Sequence, residues 1–160
     1  MGSVRIKRVL EQDIDTVFAI QRAAFEPLYL KYRDDGTSPY LESRDTVLRK
    51  YTREATCGYL FLLGDIPVGA VRILPGADNS AKVSALCVLP EYQRRGIARD
   101  GMAKIEALHG DIERWHLSTI LEEEGNCRLY EKLGYQRIGD PVCVNERMTL
   151  VFYEKQVGNE

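Results

Sequence analysis

The sequence predicts an α/β (α+β) fold with a mixed, mainly antiparallel central sheet of about six to seven strands flanked by about four helices. Short apolar runs rich in β-branched and aromatic residues alternate with stretches of helical periodicity. Closely spaced turn residues separate the β-rich runs in the middle of the chain, which is typical of hairpins. The length of 160 residues is common for one domain, and no repeat or long linker interrupts it, so we expect a single domain over residues 1–160.

The N-terminal third begins with a strand and a helix. Residues 4–10 are β-rich, and Asp13 then has the character of an N-cap, because the apolar positions that follow recur at helical spacing. Pro27 is expected to end this helix. Turn-favouring residues dominate over residues 28–43, which predicts a loop, and a short helix should follow at about residues 45–51.

The middle of the chain has the pattern of an antiparallel meander. Residues 59–63 and 66–74 are β-rich runs joined by Gly64-Asp65, a pair that favours a tight hairpin turn. A third run covers residues 82–89 and stops at Pro90, which cannot donate to a strand ladder. We expect these three runs to pair consecutively.

The last third alternates helices and strands. A helix with one apolar stripe is predicted over residues 96–109, followed by a strand over residues 115–120. A further helix covers residues 126–133 and is expected to end at Gly134, a residue type that suits a helix C-terminus. Two closing strands are predicted over residues 135–138 and 148–153.

Composition and charge exclude several classes of protein. A formal net charge of −2, with 29% charged and 44% hydrophobic residues, describes an ordinary globular protein, so nucleic acid is not an expected partner. No apolar run reaches the roughly 18–20 residues that a membrane span needs. Residues 1–5 contain no signal-peptide core, so we expect no membrane partner and a cytoplasmic location.

The cysteines give no reason to expect a metal site or a disulfide framework. They are far apart in sequence, form no C-x-x-C pair and have no histidine at metal-ligand spacing. Free cysteine mostly behaves as a small buried apolar residue, and this is the expectation here. The four are Cys57, Cys87, Cys127 and Cys143.

The segment Gln93-Arg94-Arg95-Gly96-Ile97-Ala98 joins the last run of the meander to a helix. The free N–H groups and the positive dipole end of a helix N-terminus bind phosphate oxygens. Gly96 permits close approach of the backbone to a ligand, and Arg94 and Arg95 can add charge-assisted hydrogen bonds. Neither G-x-G-x-x-G nor G-x-x-x-x-G-K-[ST] is present in the segment, which disfavours hydride transfer and P-loop chemistry. From the residues alone, a phosphate site and a turn with solvated arginines remain equal alternatives.

Two stretches resemble the motifs of the GNAT superfamily of N-acetyltransferases. Residues 88–98 resemble its strand–loop–helix motif, with the Q/R-x-x-G-x-G/A core, and Asn126 with residues 129–135 is similar to its second motif at the expected distance. The resemblance is detailed over residues 82–138 and is limited to element order in the N-terminal third. It implies a GNAT-like fold and transfer of an acetyl group from acetyl-CoA, without a metal, to a primary amine of a small molecule or peptide by direct attack.

The resemblance also implies which residues hold the cofactor. Backbone groups of Leu86, Cys87 and Val88 would pair with the pantetheine arm, and Asn126 would contact the cofactor near its thioester. The pyrophosphate would be held by the loop and its helix, at Gln93, Arg94, Arg95, Gly96, Ile97 and Ala98.

Catalytic roles follow from the same resemblance. Tyr130 lies four residues after Asn126, on the same helix face, and would protonate the departing thiolate of coenzyme A. A backbone bulge would leave the N–H of Val88 free to polarise the thioester carbonyl. Packing of an aromatic side chain is the alternative explanation for Tyr130.

The proton acceptor departs from the family pattern. Many relatives carry a glutamate on the strand before the loop, whereas residues 82–86 contain no carboxylate. Glu122, the first of three consecutive glutamates, is the candidate base, and a solvated acidic surface is the alternative explanation. His109 and His116 titrate near neutral pH but are expected to be exposed and non-catalytic.

The acceptor wall is expected between the first two helices, the region that GNAT relatives use for the substrate. Tyr29, Tyr32 and Tyr40 are its candidate binding residues, and Asp34-Asp35 suits a cationic amine. Alternatively, the tyrosines cap the core and the two aspartates only form a turn beside Gly36. A non-enzymatic CoA-binding or sensing module is the second functional hypothesis, and a phosphate-binding domain unrelated to CoA is the third. Both a monomer and a homodimer fit the sequence.

Overall fold

The computed structural model describes residues 3–157. Residues 1–2, at the N-terminus predicted to lack a signal-peptide core, and residues 158–160, at the end of the domain predicted over 1–160, lie outside the described residues. The described chain contains one seven-stranded sheet and four α-helices. The strands are β1 (Val4–Arg8), β2 (Cys57–Leu63), β3 (Ile66–Pro75), β4 (Ser80–Val88), β5 (Arg114–Ile120), β6 (Gln136–Asn145) and β7 (Met148–Gln156). The helices are α1 (Ile14–Tyr32), α2 (Arg44–Thr52), α3 (Ile97–Leu108) and α4 (Glu124–Lys132).

The strands lie in the order β1-β2-β3-β4-β5-β7-β6, and all neighbours are antiparallel except for the parallel pair β4–β5. The predicted α/β fold with a mixed, mainly antiparallel sheet is therefore confirmed, as is the meander of β2, β3 and β4. The predicted turn at Gly64-Asp65 joins β2 to β3, where Leu63 pairs with Ile66. Gly64 has a φ of 60°, as the common two-residue hairpin turns require.

β4 and β5 separate from each other soon after they begin. They pair only where residues 80–82 face residues 114–116. A bulge then follows in β4, because the single residue Val71 of β3 lies opposite both Ala85 and Leu86. Ala85 takes a φ of 53°, which is rare for a residue other than glycine. Bulges bend the strand that contains them, and here β4 and β5 enclose a V-shaped opening.

Helices pack on both faces of the sheet. α1 and α2 cover one face, termed the α1/α2 face, over a core that includes Ile14, Val17 and Leu60. α3 and α4 cover the opposite face, termed the α3/α4 face, whose core includes Phe61 and Trp115. Leu60 and Phe61 belong to different cores because successive side chains of a strand point to opposite faces. Burial of each such side chain contributes about 1.5–3 kcal/mol.

The prediction that Pro27 ends the first helix is wrong, since α1 continues to Tyr32 with the proline inside it. Proline in a helix interior removes a hydrogen bond and costs about 3 kcal/mol. Tertiary contacts offset this cost. Tyr32 is buried, its hydroxyl donates to Glu123 at 2.5 Å, and its carbonyl accepts from Asn145 Nδ2 at 2.9 Å. The predicted loop over residues 28–43 is correspondingly shorter.

The predicted end of β6 at Ile138 is also wrong. Gly139, Asp140 and Pro141 leave the ladder, and pairing with β7 resumes at Val142, so that β6 continues to Asn145. A turn-forming sequence inside a strand therefore marks a bulge in this case and not the end of the strand.

Exposure differs from the prediction at both histidines and at one cysteine. His109 and His116 are half-buried and not exposed. The ring of His109 packs edge-on against Trp115, and its Nε2 lies 2.7 Å from the Tyr59 hydroxyl. Burial lowers the pKa of both imidazoles. Cys143, expected to be buried, is exposed because it lies on the edge strand β6.

The other elements begin and end within a few residues of their predicted bounds, which is the usual uncertainty of element ends. No helix within residues 3–157 is long and apolar enough to cross a membrane. Over the same range, no group of His, Cys, Asp and Glu side chains is arranged to hold a metal ion.

Candidate active site

The opening between β4 and β5 continues into a cavity of about 210 Å³. Its walls come from three parts of the chain: α1 with the loop that follows it, the separated strands β4 and β5 with β7, and α4. Leu86 of β4 and both Asn126 and Tyr130 of α4 line this cavity. The sequence therefore folds so that two residues of the second motif meet the strand that precedes the loop.

The C-terminal end of β4 has an open edge. Leu86, Cys87 and Val88 follow the bulge, and β5 no longer pairs with β4 along these residues. Cys87 and Val88 are buried, with 7% and 8% of their surfaces exposed. Burial raises the pKa of the Cys87 thiol to about 12, so this thiol stays protonated and weakly nucleophilic. What this edge offers is backbone groups for an extended ligand.

The loop after β4 is held in a strained and open conformation. Arg94 and Gly96 have φ values of 65° and 79°, and Gly96 is the N-cap of α3. The side chain of Gln93 donates from Nε2 to the Val88 carbonyl at 2.9 Å, which ties the loop to the strand end. Ile97, only 2% exposed, anchors the first turn of the helix in the core.

The N–H groups of this loop are free. Among the described residues, no backbone hydrogen bond uses an N–H between Arg94 and Ala98, and the first bond of α3 runs from the Asp100 N–H to the Gly96 carbonyl. Arg94 and Arg95 are exposed, and Arg95 lies over the ring of Tyr92. Free N–H groups, a helix dipole and two nearby cations are the features that favour binding of an anion.

Tyr130 combines burial with access to the cavity. Only 8% of its surface is exposed, and its ring packs against Tyr135 and Tyr153 at centroid distances of 5.9 and 6.2 Å. Burial raises the pKa of the phenol well above its ordinary value, so the hydroxyl stays protonated. Burial is the main cause of this raised pKa and no hydrogen bond contributes to it, so the hydroxyl is available as a proton donor to a molecule bound in the cavity that Tyr130 lines.

The three consecutive glutamates lie outside the cavity. Glu122 accepts from the Thr149 N–H at 2.9 Å, and this hydrogen bond lowers the pKa of its carboxyl group. Glu123 accepts from Tyr32 and from Lys31 Nζ, the latter at 2.8 Å, and Glu124 begins α4. That Glu122 acts as the general base stays a prediction. Its position does not favour this role, because none of the three glutamates lines the cavity.

The candidate tyrosines of the acceptor wall form a separate surface cluster. Tyr29 and Tyr40 stack on each other at 5.5 Å, and the Tyr29 hydroxyl donates to Asp35 at 2.5 Å. Neither these two nor Tyr32 lines the cavity, so their role in binding stays a prediction. The same segment does reach the cavity through other residues, namely Phe25, Leu28, Asp34, Thr37, Ser38 and Pro39.

Of the two aspartates predicted to suit a cationic amine, only Asp34 lines the cavity. The pattern Asp34-Asp35-Gly36 is visible, but two adjacent aspartates give no sign of which one turns inward. In the structure Asp34 is 7% exposed and lines the cavity, whereas Asp35 is exposed.

Known proteins share this architecture. Residues 22–135 match the family model described as Acetyltransferase (GNAT) family. An acetyltransferase from Thermus thermophilus has a similar structure, with a TM-score of 0.76, 18% identity and coverage of 98% of both chains. Spermidine N-acetyltransferase from Vibrio cholerae in complex with CoA and spermine gives a TM-score of 0.77 at 17% identity, covering 96% of this chain and 95% of that one.

A third similar structure is the ribosomal-protein-S18-alanine N-acetyltransferase from Escherichia coli, with a TM-score of 0.76 and 14% identity, covering 98% of this chain and 96% of that one. No curated protein matches the sequence. The structural likenesses at this identity establish the fold, and the family model covers most of the chain. The chain therefore belongs to the GNAT family of acetyltransferases and is an acyltransferase.

Proposed function

We propose that this protein transfers an acetyl group from acetyl-CoA to a primary amine of a small molecule or peptide by direct attack. The observation that carries the proposal is the cavity between β4 and β5, where the open strand edge at Leu86 meets Asn126 and Tyr130. A ligand that enters between the strands meets backbone donors on one side and a protonated phenol on the other. The family membership supports the same reaction.

Coenzyme A is held mainly by backbone groups in this proposal. The free N–H groups between Arg94 and Ala98 bind the pyrophosphate, with Arg94 and Arg95 adding charge. Gln93 keeps the loop against the strand end. The open edge at Leu86, Cys87 and Val88 pairs with the amides of the pantetheine arm as a neighbouring strand would, and Asn126 contacts the arm near the thioester.

Two groups of this chain act in the proposed chemical steps, the backbone N–H of Val88 and the hydroxyl of Tyr130. A neutral amine nitrogen attacks the thioester carbon, and the Val88 N–H stabilises the negative oxygen that forms. The C–S bond then breaks, and Tyr130 donates its proton to the departing sulfur. The nitrogen loses one proton in the same reaction, which balances the proton taken up by the thiolate. The raised pKa of Tyr130 suits an acid that must stay protonated until this step.

Acetylation of amines by the purified protein tests the proposal. Isothermal titration with coenzyme A is expected to show one site, and mass spectrometry of an amine and peptide panel with acetyl-CoA is expected to show at least one product heavier by one acetyl group. Stoichiometric CoA binding without any acetylated product would favour the sensing module, which the lack of a carboxylate over residues 82–86 makes the second candidate. Absence of CoA binding would overturn both.

A further inference from the structure

Asp34 is a buried carboxylate held in place by its own loop. It lies two residues after the end of α1 and is 7% exposed. Its backbone carbonyl accepts from the N–H groups of Thr37 and Ser38 at 3.1 and 3.0 Å, and the Thr37 hydroxyl donates to its Oδ2 at 2.8 Å. These three hydrogen bonds fix both the backbone and the side chain of Asp34 at the wall of the cavity.

This carboxylate has no counter-charge. Within residues 3–157 no salt bridge reaches Asp34, and its side chain accepts one hydrogen bond, at Oδ2, so that Oδ1 has no partner. The neighbouring cations have other partners. Lys31 pairs with Glu123, which raises the pKa of the lysine to about 12, and the Arg33 guanidinium lies over the Tyr29 ring at 5.3 Å. The Oδ1 atom can therefore accept a charge-assisted hydrogen bond from a cationic ligand in the cavity.

The rest of the cavity offers no other anion. Among the described residues that line it, Asp34 is the only carboxylate, and Tyr130 stays neutral because its pKa is raised. Phe25, Leu28 and Met148 contribute apolar surface. A positively charged amine in this cavity therefore has Asp34 as its one charged partner, and no residue of the loop over residues 93–98 lines the cavity.

Resting on the acetyl transfer proposed above, we propose that Asp34 binds the ammonium group of an alkyl amine acceptor and takes its proton. The N–H bond of the ammonium breaks, the proton passes to Asp34, and the electron pair left on nitrogen forms the new C–N bond. Asp34 later returns the proton to solvent. Alkyl amines, which are ammonium ions at neutral pH, need this residue, whereas aryl amines, which are already neutral, do not.

Asp34→Asn separates the two amine classes and leaves the shape of the side chain nearly unchanged. With 1,4-diaminobutane as the alkyl amine and p-anisidine as the aryl amine, kcat/KM is expected to fall about 100-fold for the first and less than about threefold for the second. The matched control is Asp65→Asn, which changes a fully exposed carboxylate in the turn between β2 and β3 and is expected to leave both rates unchanged. Circular dichroism and thermal melting verify that the variants are folded.

Thr37→Ala is the second variant, because it keeps the carboxylate and removes only the hydrogen bond to Oδ2. In this variant kcat/KM is expected to fall about tenfold for the alkyl amine alone, which is the effect of losing one hydrogen bond to a charged group. Equal losses for both amines, or unchanged rates for both, would overturn the assignment of Asp34 while leaving acetyl transfer intact. If the wild-type protein acetylates neither these two amines nor any member of the panel, the proposed function itself fails, and the Asp34 assignment fails with it.

Discussion

The two faces of the sheet are built from different kinds of side chain. On the α3/α4 face one apolar core runs from β1 to β7, and Phe61, Trp115 and Tyr153 are completely buried in it. The α1/α2 face has a smaller core and contains buried polar groups, among them Gln21 and Arg72. An apolar core stabilises without fixing a particular partner, whereas buried polar groups must find specific partners.

Polar contacts on the α1/α2 face determine where the acceptor loop lies. Gln21 of α1 donates from Nε2 to the Pro39 carbonyl at 2.9 Å and to Glu42 at 2.8 Å, and Glu42 also pairs with Lys50 of α2. These contacts fasten the C-terminal end of the loop that contains Asp34, and the hydrogen bonds of Tyr32 to Glu123 and Asn145 hold its N-terminal end. The α3/α4 face thus supplies the larger apolar core and the proposed cofactor side, while the α1/α2 face places a charged group at the cavity.

Removal of the Tyr130 hydroxyl tests whether catalysis depends on a group of the apolar face. Tyr130→Phe is expected to lower kcat by about 100-fold, because general acid catalysis contributes at least this much. Affinity for coenzyme A and the melting temperature should stay unchanged, since no hydrogen bond contributes to the pKa of this hydroxyl and the ring remains in the variant. Steady-state kinetics at saturating substrates, with calorimetry, measure both effects.

Tyr135→Phe, which removes a hydroxyl that donates to Glu106 at 3.2 Å, is the control expected to keep its activity. Full turnover in Tyr130→Phe would remove the acid role.

A methyl group added at Gly101 tests how tightly the α3/α4 face is packed. The new Cβ would lie 2.6 Å from a ring atom of Phe61, and that ring is itself completely buried. Gly101→Ala should therefore reduce the free energy of unfolding by roughly 1–3 kcal/mol, as overpacking does. Urea denaturation measures the loss. Gly125→Ala in α4 meets no atom within 4 Å and should be neutral or slightly stabilising. Equal stability of the two variants would show that the core is looser than the structure indicates.

Comparison of alanine variants at Gly96 and Gly139 separates the backbone strain that a substitution introduces from the proposed role of Gly96 in CoA binding. Both glycines have positive φ, 79° and 67°, and an added Cβ meets no atom within 4 Å at either. Each alanine variant should lose about 1–2 kcal/mol through backbone strain alone. Gly96→Ala should in addition weaken CoA binding about tenfold, because relief of the strain turns the N–H groups away from the ligand. Isothermal titration distinguishes the two, and equal CoA affinity in both variants would argue against the loop as the pyrophosphate site.

The elements on the proposed cofactor side were more predictable from the sequence than those on the acceptor side, for a physical reason. The recognition that we propose for the loop depends on backbone N–H groups at fixed offsets from Gly96, and a glycine before an apolar helix is visible in the sequence. On the acceptor side, the position of the loop that lines the cavity depends on where α1 ends. Contacts between residues distant in sequence, such as the hydrogen bond of Tyr32 to Glu123, extend this helix past Pro27.

The inward position of Asp34 could not be predicted for the same reason. Asp34 and Asp35 have identical side chains, and only the left-handed turn at Arg33, with a φ of 52°, determines which of them faces the cavity. The edge strand β6 was predicted too short because Gly139 and Pro141 are turn formers, and only pairing with β7 shows that the strand resumes. Local patterns reveal local structure, and these features are set by tertiary contacts.

The smallest expected effect concerns the Tyr51 hydroxyl on the α1/α2 face, which is buried and has no hydrogen-bond partner among the described residues. An unsatisfied buried group costs about 1–3 kcal/mol, so Tyr51→Phe should raise the free energy of unfolding by about 1 kcal/mol at neutral pH. The ring and its contact with Arg72 remain in the variant. Tyr153→Phe is the control, because it removes a hydroxyl that donates to Glu131 at 2.8 Å and should lower stability.

The same variant has an expected pH dependence. Burial raises the pKa of Tyr51 above its ordinary value of 10.0, so above about pH 10 the unfolded chain releases a proton that the folded protein retains. The stability contribution of Tyr51 is therefore complete below pH 10 and falls as the pH rises beyond it. Tyr51→Phe should remove part of this alkaline loss, so its advantage over the wild type should be larger at pH 10.5 than at pH 7 in urea denaturation. A variant less stable than the wild type at both pH values would show that the hydroxyl has a partner, and that the polar groups of this face are all satisfied.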